Sequence, residues 1–226
     1  MTVLVTGGAG YIRSTVVRDL LERGDEVISI DNLYRGDYTH LSPYKNNPHL
    51  ETVIADISSM KEVEESLETA GNVTSVIHLA AVSGLDRCRE DPEKAVLTNV
   101  LGTLNVLEAA RGCDAQKVIF ASSAAVYGIP RRTPIREDHP LEPINLYGIT
   151  KLAGERIVES YRRSYGLNTV ILRFGSAHGI GLFTYWETVI PIFVKQAMEG
   201  RPLTVNGSGN QGRDYIHVLD ISRAII

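Results

Sequence analysis

Cysteine is scarce in this sequence, with two residues in 226, Cys88 and Cys113. They form no C-x-x-C pair and stand in no His/Cys cluster at ligand spacing, so neither a disulfide framework nor a zinc site is indicated, and no metal is expected. Free thiols suit a reducing compartment, and a cytoplasmic protein is expected. A surplus of positive charge is also missing. With 23 Lys and Arg against 27 Asp and Glu, the net charge is −4, which supplies no basic field for nucleic acid or for an anionic membrane surface. Neither is an expected partner. No apolar run approaches the length of a membrane span, and the N-terminus lacks the basic region, long apolar segment and cleavage site of a secretory signal. Internal repeats and low-complexity tracts are absent too, which sets aside solenoids and linkers.

What is present is an alternation of short apolar runs with longer stretches of helical periodicity. That pattern marks an α/β protein with a parallel sheet covered by helices on both faces. Strands are predicted at Val3 to Thr6, Glu26 to Ile30, Glu51 to Ile54, Ser75 to Leu79, Lys117 to Ser122 and Thr169 to Arg173. Helices are predicted over Ser14 to Arg23, Met60 to Thr69, Pro92 to Arg111 and Tyr147 to Tyr165, closing at or near Gly24, Gly71, Gly112 and Gly166, each suited to a left-handed cap. From about Ala177 the pattern changes to aromatics and scattered glycines, with a helix over Val189 to Glu199 and extended pieces at Leu203 to Asn206 and Asp214 to Val218. A last helix, Leu219 to Ile226, reaches the chain end uncapped. The expected organisation is a doubly wound Rossmann domain over 1–176 and a small, incomplete substrate lobe over 177–226, in a chain shorter than the fold to which it belongs.

Two groups of residues carry chemistry. Thr6-Gly7-Gly8-Ala9-Gly10-Tyr11-Ile12-Arg13 follows a buried strand and opens a helix. Glycines there permit a tight turn and let backbone N–H groups approach a diphosphate, whose charge the helix N-terminus favours. The second strand leads to Asp31, about 20 residues beyond the loop, where a carboxylate can accept hydrogen bonds from a ribose diol and repel a 2′-phosphate. NAD is therefore expected over NADP. Further on, Tyr147 and Lys151 stand one helical turn apart on one face. A phenol is a poor base near neutrality, but a neighbouring ammonium and a bound nicotinamide lower its pKa, so Tyr147 could exchange a proton with a substrate hydroxyl. Ser123, at the C-terminal end of the fifth strand, could hydrogen-bond the same oxygen.

These pieces, with Asn32, Asp56-Ile57, His78-Leu79-Ala80-Ala81, Asn99 with Gly102-Thr103, Ser122-Ser123 through Val126-Tyr127-Gly128, and Gly212 to Val218, occur in one order over nearly the whole chain. In that order the sequence resembles the extended short-chain dehydrogenase/reductases, in the NAD-dependent epimerase/dehydratase branch that contains UDP-glucose 4-epimerase. The resemblance implies a catalytic set of Ser123, Tyr147 and Lys151. It implies a cofactor set of Gly7, Gly10, Tyr11, Ile12, Asp31, Asn32, Asp56, Ile57, Leu79, Ala80, Ala81, Asn99, Ser122, Tyr147 and Lys151, with Asp56 and Ile57 at the adenine, Leu79 to Ala81 along the diphosphate and Asn99 and Lys151 at the nicotinamide half. Ser123, Tyr147, Ser176 and Arg213 would meet a nucleotide-sugar substrate, a UDP-hexose. The implied reaction is inversion at C4 by transient oxidation, and the helices over Pro92 to Arg111 and Tyr147 to Tyr165 would pair two copies into a homodimer. Family dehydratases carry an Asp-Glu pair just after the active-site hydroxyl, where this chain has Ala124-Ala125, so dehydration is disfavoured. A simple sugar-nucleotide oxidoreductase, or a catalytically weak nucleotide-binding or regulatory member, stays open.

Two departures from the family pattern motivate that second alternative. Arg13 stands where the loop has its third glycine. Either it pushes the first helix outward and weakens NAD binding, the favoured expectation, or its side chain extends toward the diphosphate. Ser176 stands where the family places asparagine. His178 and His217 invite an acid/base reading, although His217 more simply serves a hydrogen-bonded structural role in its strand. Phe183, Tyr185 and Trp186 could line a sugar pocket or simply pack a lobe.

Overall fold

The computed structural model describes residues 1–34, 36–68, 72–179 and 188–226. Thr69 and Gly71, and with them Phe183, Tyr185 and Trp186, lie outside the described residues. Six parallel strands form one sheet: β1 (Thr2–Thr6), β2 (Glu26–Asp31), β3 (Leu50–Ile54), β4 (Ser75–His78), β5 (Lys117–Ser123) and β6 (Thr169–Phe174), in the spatial order β3-β2-β1-β4-β5-β6. Helices α1 (Tyr11–Glu22), α2 (Met60–Glu68), α3 (Leu85–Glu90), α4 (Pro92–Val96), α5 (Gly102–Gly112) and α6 (Leu146–Tyr165) accompany it.

Alternation along the central strands explains the two-sided cover. Leu4, Val76, Val118 and Phe120 point into one core cluster, shared with Val106 and Leu107 of α5 and Val158 and Tyr161 of α6. Their neighbours Val3, Val5, Ile77 and Ile119 point into the other, shared with Val16, Val17 and Leu20 of α1. A strand buried on both faces reads as a continuous apolar run, which is why the sequence pattern located these strands.

Beyond the sheet come β7 (Ser176–His178), α7 (Val189–Met198), β8 (Tyr215–His217) and α8 (Val218–Ile225). β7 and β8 pair in parallel as a separate two-stranded sheet. Leu203 to Asn206, expected to be extended, joins neither sheet. α8 packs by Ile221 and Ile225 into the α1 side of the main core, so this part of 177–226 belongs by packing to the Rossmann body.

The stretch expected as one helix from Pro92 to Arg111 is broken into three. Asp91 accepts a hydrogen bond from Lys94 N at 3.0 Å with Pro92 in the first turn, starting α4. A π-helical turn over Leu97–Leu101 follows before α5 begins. The wider turn carries Thr98 and Asn99 inward, both buried, a distortion often found at functional sites. Gly112 ends α5 as its last helical residue, and the left-handed conformation expected there falls on Asp114 instead (φ 52°).

Candidate active site

The strand order reverses between β1 and β4, and in doubly wound sheets the crevice at such a switch point, beyond the strand C-termini, is where ligands bind. Thr6 and His78 pair across it. The Thr6 Oγ1 accepts from Leu79 N (3.1 Å) and Ala80 N (3.0 Å), and its own proton goes to His78 Nδ1 at 2.7 Å. His78 must then carry its proton on Nε2, donated to Thr103 Oγ1 at 3.0 Å, while Thr103 donates to the Asn99 carbonyl at 2.7 Å. The Asn99 amide exchanges bonds with Val82 N (2.8 Å) and Val82 O (3.0 Å) and donates to Thr150 Oγ1 at 3.0 Å. Thr150 donates in turn to the Tyr147 carbonyl at 2.9 Å. One continuous chain of hydrogen bonds therefore runs from the strand before the glycine loop to the first turn of α6.

Burial, joined by the positive charges of Lys151 and Arg13, pulls His78 down to about 3 from an ordinary 6.5. The unfolded chain thus binds a proton that the native one refuses between those two values, and native stability falls as pH drops from about 6.5 toward 3, by up to about 1.4 kcal/mol per pH unit. Urea midpoints at about pH 7 and about pH 4.5, on the wild type and on His78→Gln, are expected to show a smaller acid loss in the variant. Equal losses would assign the dependence to other groups.

At the end of β2, Asp31 is held by Ala9 N at 3.1 Å and Leu33 N at 2.8 Å, one bond to each oxygen, so both oxygens keep a free lone pair for a diol. Asn32 donates to Asp56 Oδ2 at 2.8 Å. Desolvation works to raise the Asp56 carboxyl, but the bonds from Ser58 and Asn32 outweigh it and hold it below the usual range. Ile57 is buried beside this pair, its carbonyl accepting from Asn105 Nδ2 at 2.9 Å. Tyr11 and Ile12 form the first turn of α1, whose cap residue Gly10 makes no side-chain capping bond.

Arg13 folds its side chain back over the loop. A Cβ placed on Gly7 or on Gly10 would come within 2.8 Å of Arg13 Nη1, so the guanidinium lies directly on the loop glycines. Its Nη2 reaches the Ala81 carbonyl at 3.4 Å. Helix α1 is not displaced from the core, where Val16, Val17 and Leu20 remain fully buried.

The opposite end of the crevice is built where α6 meets β5. Asn145 caps α6, accepting from Gly148 N at 2.9 Å. At Gly148 a Cβ would stand 2.6 Å from the Ala125 carbonyl and 2.9 Å from Pro143 Cβ. Only glycine lets the start of α6, and with it Tyr147, approach the 3₁₀ turn Ala124–Tyr127 that follows Ser123. Tyr147 is half-buried against the small cluster of Val82, Cys88 and Ala95. Lys151 is buried, its Nζ donating to the Ala121 carbonyl at 2.8 Å. Desolvation, reinforced by the Arg13 charge, pulls its pKa down to about 7. Ser123 Oγ accepts from Ala125 N at 3.2 Å, which leaves the hydroxyl proton for another acceptor.

Neighbouring serines diverge because successive strand side chains face opposite ways. Ser122 donates to Glu155 Oε1 at 2.5 Å. Glu155 is fully buried and takes a bidentate pair from Arg173, at 2.9 Å and 2.8 Å. Arg173 also donates to the Tyr127 hydroxyl at 2.9 Å. Sequence reasoning missed this pair. The available signal was an acid one turn beyond Lys151, on the same buried face of α6 as Tyr147.

Arg13, on the loop glycines, acts electrostatically on Lys151, and Ser123 and Tyr147 stand at the adjoining ends of β5 and α6. Ser176 lies on β7, its N–H donating to the Asp214 carbonyl at 2.7 Å. Arg213 is exposed, one nitrogen donating to the Gly212 carbonyl at 2.9 Å. It lines an open cleft of about 680 Å³ with Val189, Phe193, Asn206, Gln211 and Tyr215. His217 caps α8 through Nδ1, which accepts from Leu219 N at 3.2 Å, and its ring stands 5.2 Å from that of His178. Among the described residues no group of three His, Cys, Asp or Glu is placed to hold a metal ion, and no helix is long and apolar enough to cross a membrane.

The family model described as the NAD dependent epimerase/dehydratase family matches residues 3–226. A UDP-glucose 4-epimerase from Halalkalibacterium halodurans is 36% identical over 238 residues, covering 99% of this chain and 69% of that protein. The crystal structure of the UDP-glucose 4-epimerase of Thermotoga maritima with UDP-glucose superposes with a TM-score of 0.92 at 33% identity, over 99% of this chain and 72% of that one. A dTDP-glucose 4,6-dehydratase from Streptomyces venezuelae, solved with NAD bound, superposes with a TM-score of 0.90 at 34% identity, over 100% of this chain and 70% of that one. Matched by that family model over residues 3–226 and similar to these proteins over nearly its whole length, the chain belongs to the NAD-dependent epimerase/dehydratase family.

Proposed function

We propose that this chain is an NAD-dependent sugar-nucleotide 4-epimerase of the UDP-glucose/UDP-galactose type. The observation that carries the reading is the buried Lys151 ammonium, pinned on the Ala121 carbonyl one helical turn from Tyr147 and beside the C-terminal end of β5, where Ser123 stands. The residues present fit a dinucleotide. Asp31 offers acceptors for a ribose diol, Asn32 with Asp56 and Ile57 would border the adenine, and the backbone of Gly7, Gly10, Tyr11 and Ile12 would face the diphosphate alongside Leu79 to Ala81. Asn99 and Lys151 would support the nicotinamide end, with Ser122 contributing through its backbone because its hydroxyl is engaged by Glu155.

When bound, NAD supplies a reversible two-electron acceptor for the carbon that bears the reacting hydroxyl. The protein's part is acid–base. Tyr147 takes the proton of the sugar 4-hydroxyl and returns it, and the Lys151 charge favours the phenolate that this requires. Ser123 donates its free proton to the same oxygen and holds it in line. Return of the two electrons that the bound cofactor would hold, to the other face of the resulting ketone, would invert C4. Ala124 and Ala125, methyl side chains directly after Ser123, offer no acid or base for elimination across C5 and C6, which favours epimerisation over dehydration. Arg213 and Ser176, from the 177–226 segment, would contact the nucleotide diphosphate and the sugar. One observation, Arg13 lying in the loop, favours the alternative of a catalytically weak family member.

Incubation with NAD and UDP-galactose is expected to yield UDP-glucose with no net change in NAD. No product, together with no NAD retained on purification, overturns the reading.

A homodimer is part of this proposal. Leu97, Leu101 and Leu104 recur at helical spacing across the π turn and α5, and all are exposed, as is Ile149 on α6. Sedimentation is expected to give twice the chain mass, and a monomer at micromolar concentration removes the dimer. Two free thiols, Cys88 and Cys113, support a reducing, cytoplasmic setting.

A further inference from the structure

Arg13 is the one side chain in the glycine loop that the family pattern does not supply, and its surroundings leave its charge uncompensated. The guanidinium rests on Gly7 and Gly10 and makes a single long hydrogen bond, 3.4 Å to the Ala81 carbonyl. No carboxylate among the described residues pairs with it. It is half-buried, in the first turn of α1, where a cation opposes the helix dipole. Its field also reaches the buried Lys151 amine, so a second basic group and the α1 N-terminus both act on the surroundings of the guanidinium. Such an arrangement favours an anion.

We propose that Arg13 is an affinity-determining residue for the cofactor, standing in the diphosphate cradle as the counter-ion of the dinucleotide's diphosphate, so that binding relies on a side-chain cation as well as on loop amides. This rests on the NAD reading above. For the diphosphate to reach the loop, the guanidinium swings about its flexible stem, giving up only the long bond to Ala81, and then pairs with the phosphate oxygens through its planar fork of donors. The pairing would also offset the repulsion now acting between Arg13 and Lys151. A diphosphate is the required chemistry, and adenosine alone, meeting Asp31 and Asp56, would not use it.

The test is calorimetric binding of NAD, ADP-ribose and adenosine to the wild type, Arg13→Gly and Arg13→Gln at low and high salt, with folding checked by thermal melting. Both variants are expected to lose about tenfold or more in affinity for NAD and ADP-ribose, to bind adenosine unchanged, and to show a flatter salt dependence. Arg13→Gln keeps the aliphatic stem and a neutral amide donor, so a loss in both variants shows that a polar side chain does not replace the charged guanidinium. NAD affinity in Arg13→Gly equal to or above the wild type overturns the proposal, since the guanidinium would then merely obstruct the loop, while the cofactor reading stands. Failure of NAD to bind any of the three proteins overturns the cofactor reading and the role of Arg13 with it.

Discussion

Tyr147→Phe is expected to lower turnover by about 10²–10⁴-fold, the usual contribution of a positioned proton-transfer group, with NAD affinity within about twofold of the wild type. The substitution removes one oxygen from a half-buried ring at the second residue of α6 and leaves its apolar contacts with Val82, Cys88 and Ala95 in place. The scaffold that holds this ring acts through backbone and neighbouring side chains. Asn145 caps the helix, Thr150 bonds the Tyr147 carbonyl, and Gly148 presses the first turn against Ala125. None of these needs the phenol. Loss of kcat with unchanged cofactor binding therefore isolates the proton transfer. Ser123→Ala, which removes one hydrogen bond to the same substrate oxygen, is expected to cost less. Turnover of Tyr147→Phe within about threefold of the wild type would assign the base to another group.

Glu155→Ala is expected to cost about 3–5 kcal/mol of stability, the loss typical of breaking a buried charge pair from one side. Glu155 is wholly buried, and its carboxylate answers both Arg173 and Ser122. Its removal leaves Arg173, with 19% of its side chain exposed, without its bidentate partner and Ser122 without an acceptor. The double variant Glu155→Leu with Arg173→Leu removes both charges and is expected to recover part of the loss. Urea unfolding measures both. A single-variant loss below about 1 kcal/mol would show that water or neighbouring groups satisfy Arg173 without Glu155. The site has a stake in this pair, because Glu155 lies one helical turn beyond Lys151 and ties α6 to β5 at the strand end that carries Ser123.

Much of this was legible in the sequence because it is governed by local rules. Burial on both faces makes Val3 to Val5 and Val118 to Ala121 unbroken apolar runs, and a strand cannot hide that pattern. The Tyr147–Lys151 turn depends only on helical spacing, and the glycine loop and Asp31 follow from a strand-turn-helix unit and its successor. The π turn over Leu97–Leu101 escaped, since its residues suit an ordinary helix and only the inward demand for Asn99, met by Val82 and Thr150, widens it. Gly112 looked like a left-handed cap, yet the chain makes that turn at Asp114, two residues later.

The sequence by itself determined the class of fold and the spacing of the glycine loop, Asp31 and the Tyr147–Lys151 turn, all of them consequences of spacing along one or two consecutive elements. Tertiary structure alone decided what those residues face. The Thr6–His78–Thr103–Asn99 chain joins segments up to 97 residues apart in the chain, Glu155 finds Arg173 across a helix-to-strand crossing, and Arg13 folds onto glycines three and six residues before it when it could have pushed its helix away. Such outcomes turn on which donors and charges become neighbours after the sheet closes. Local periodicity carries no record of that.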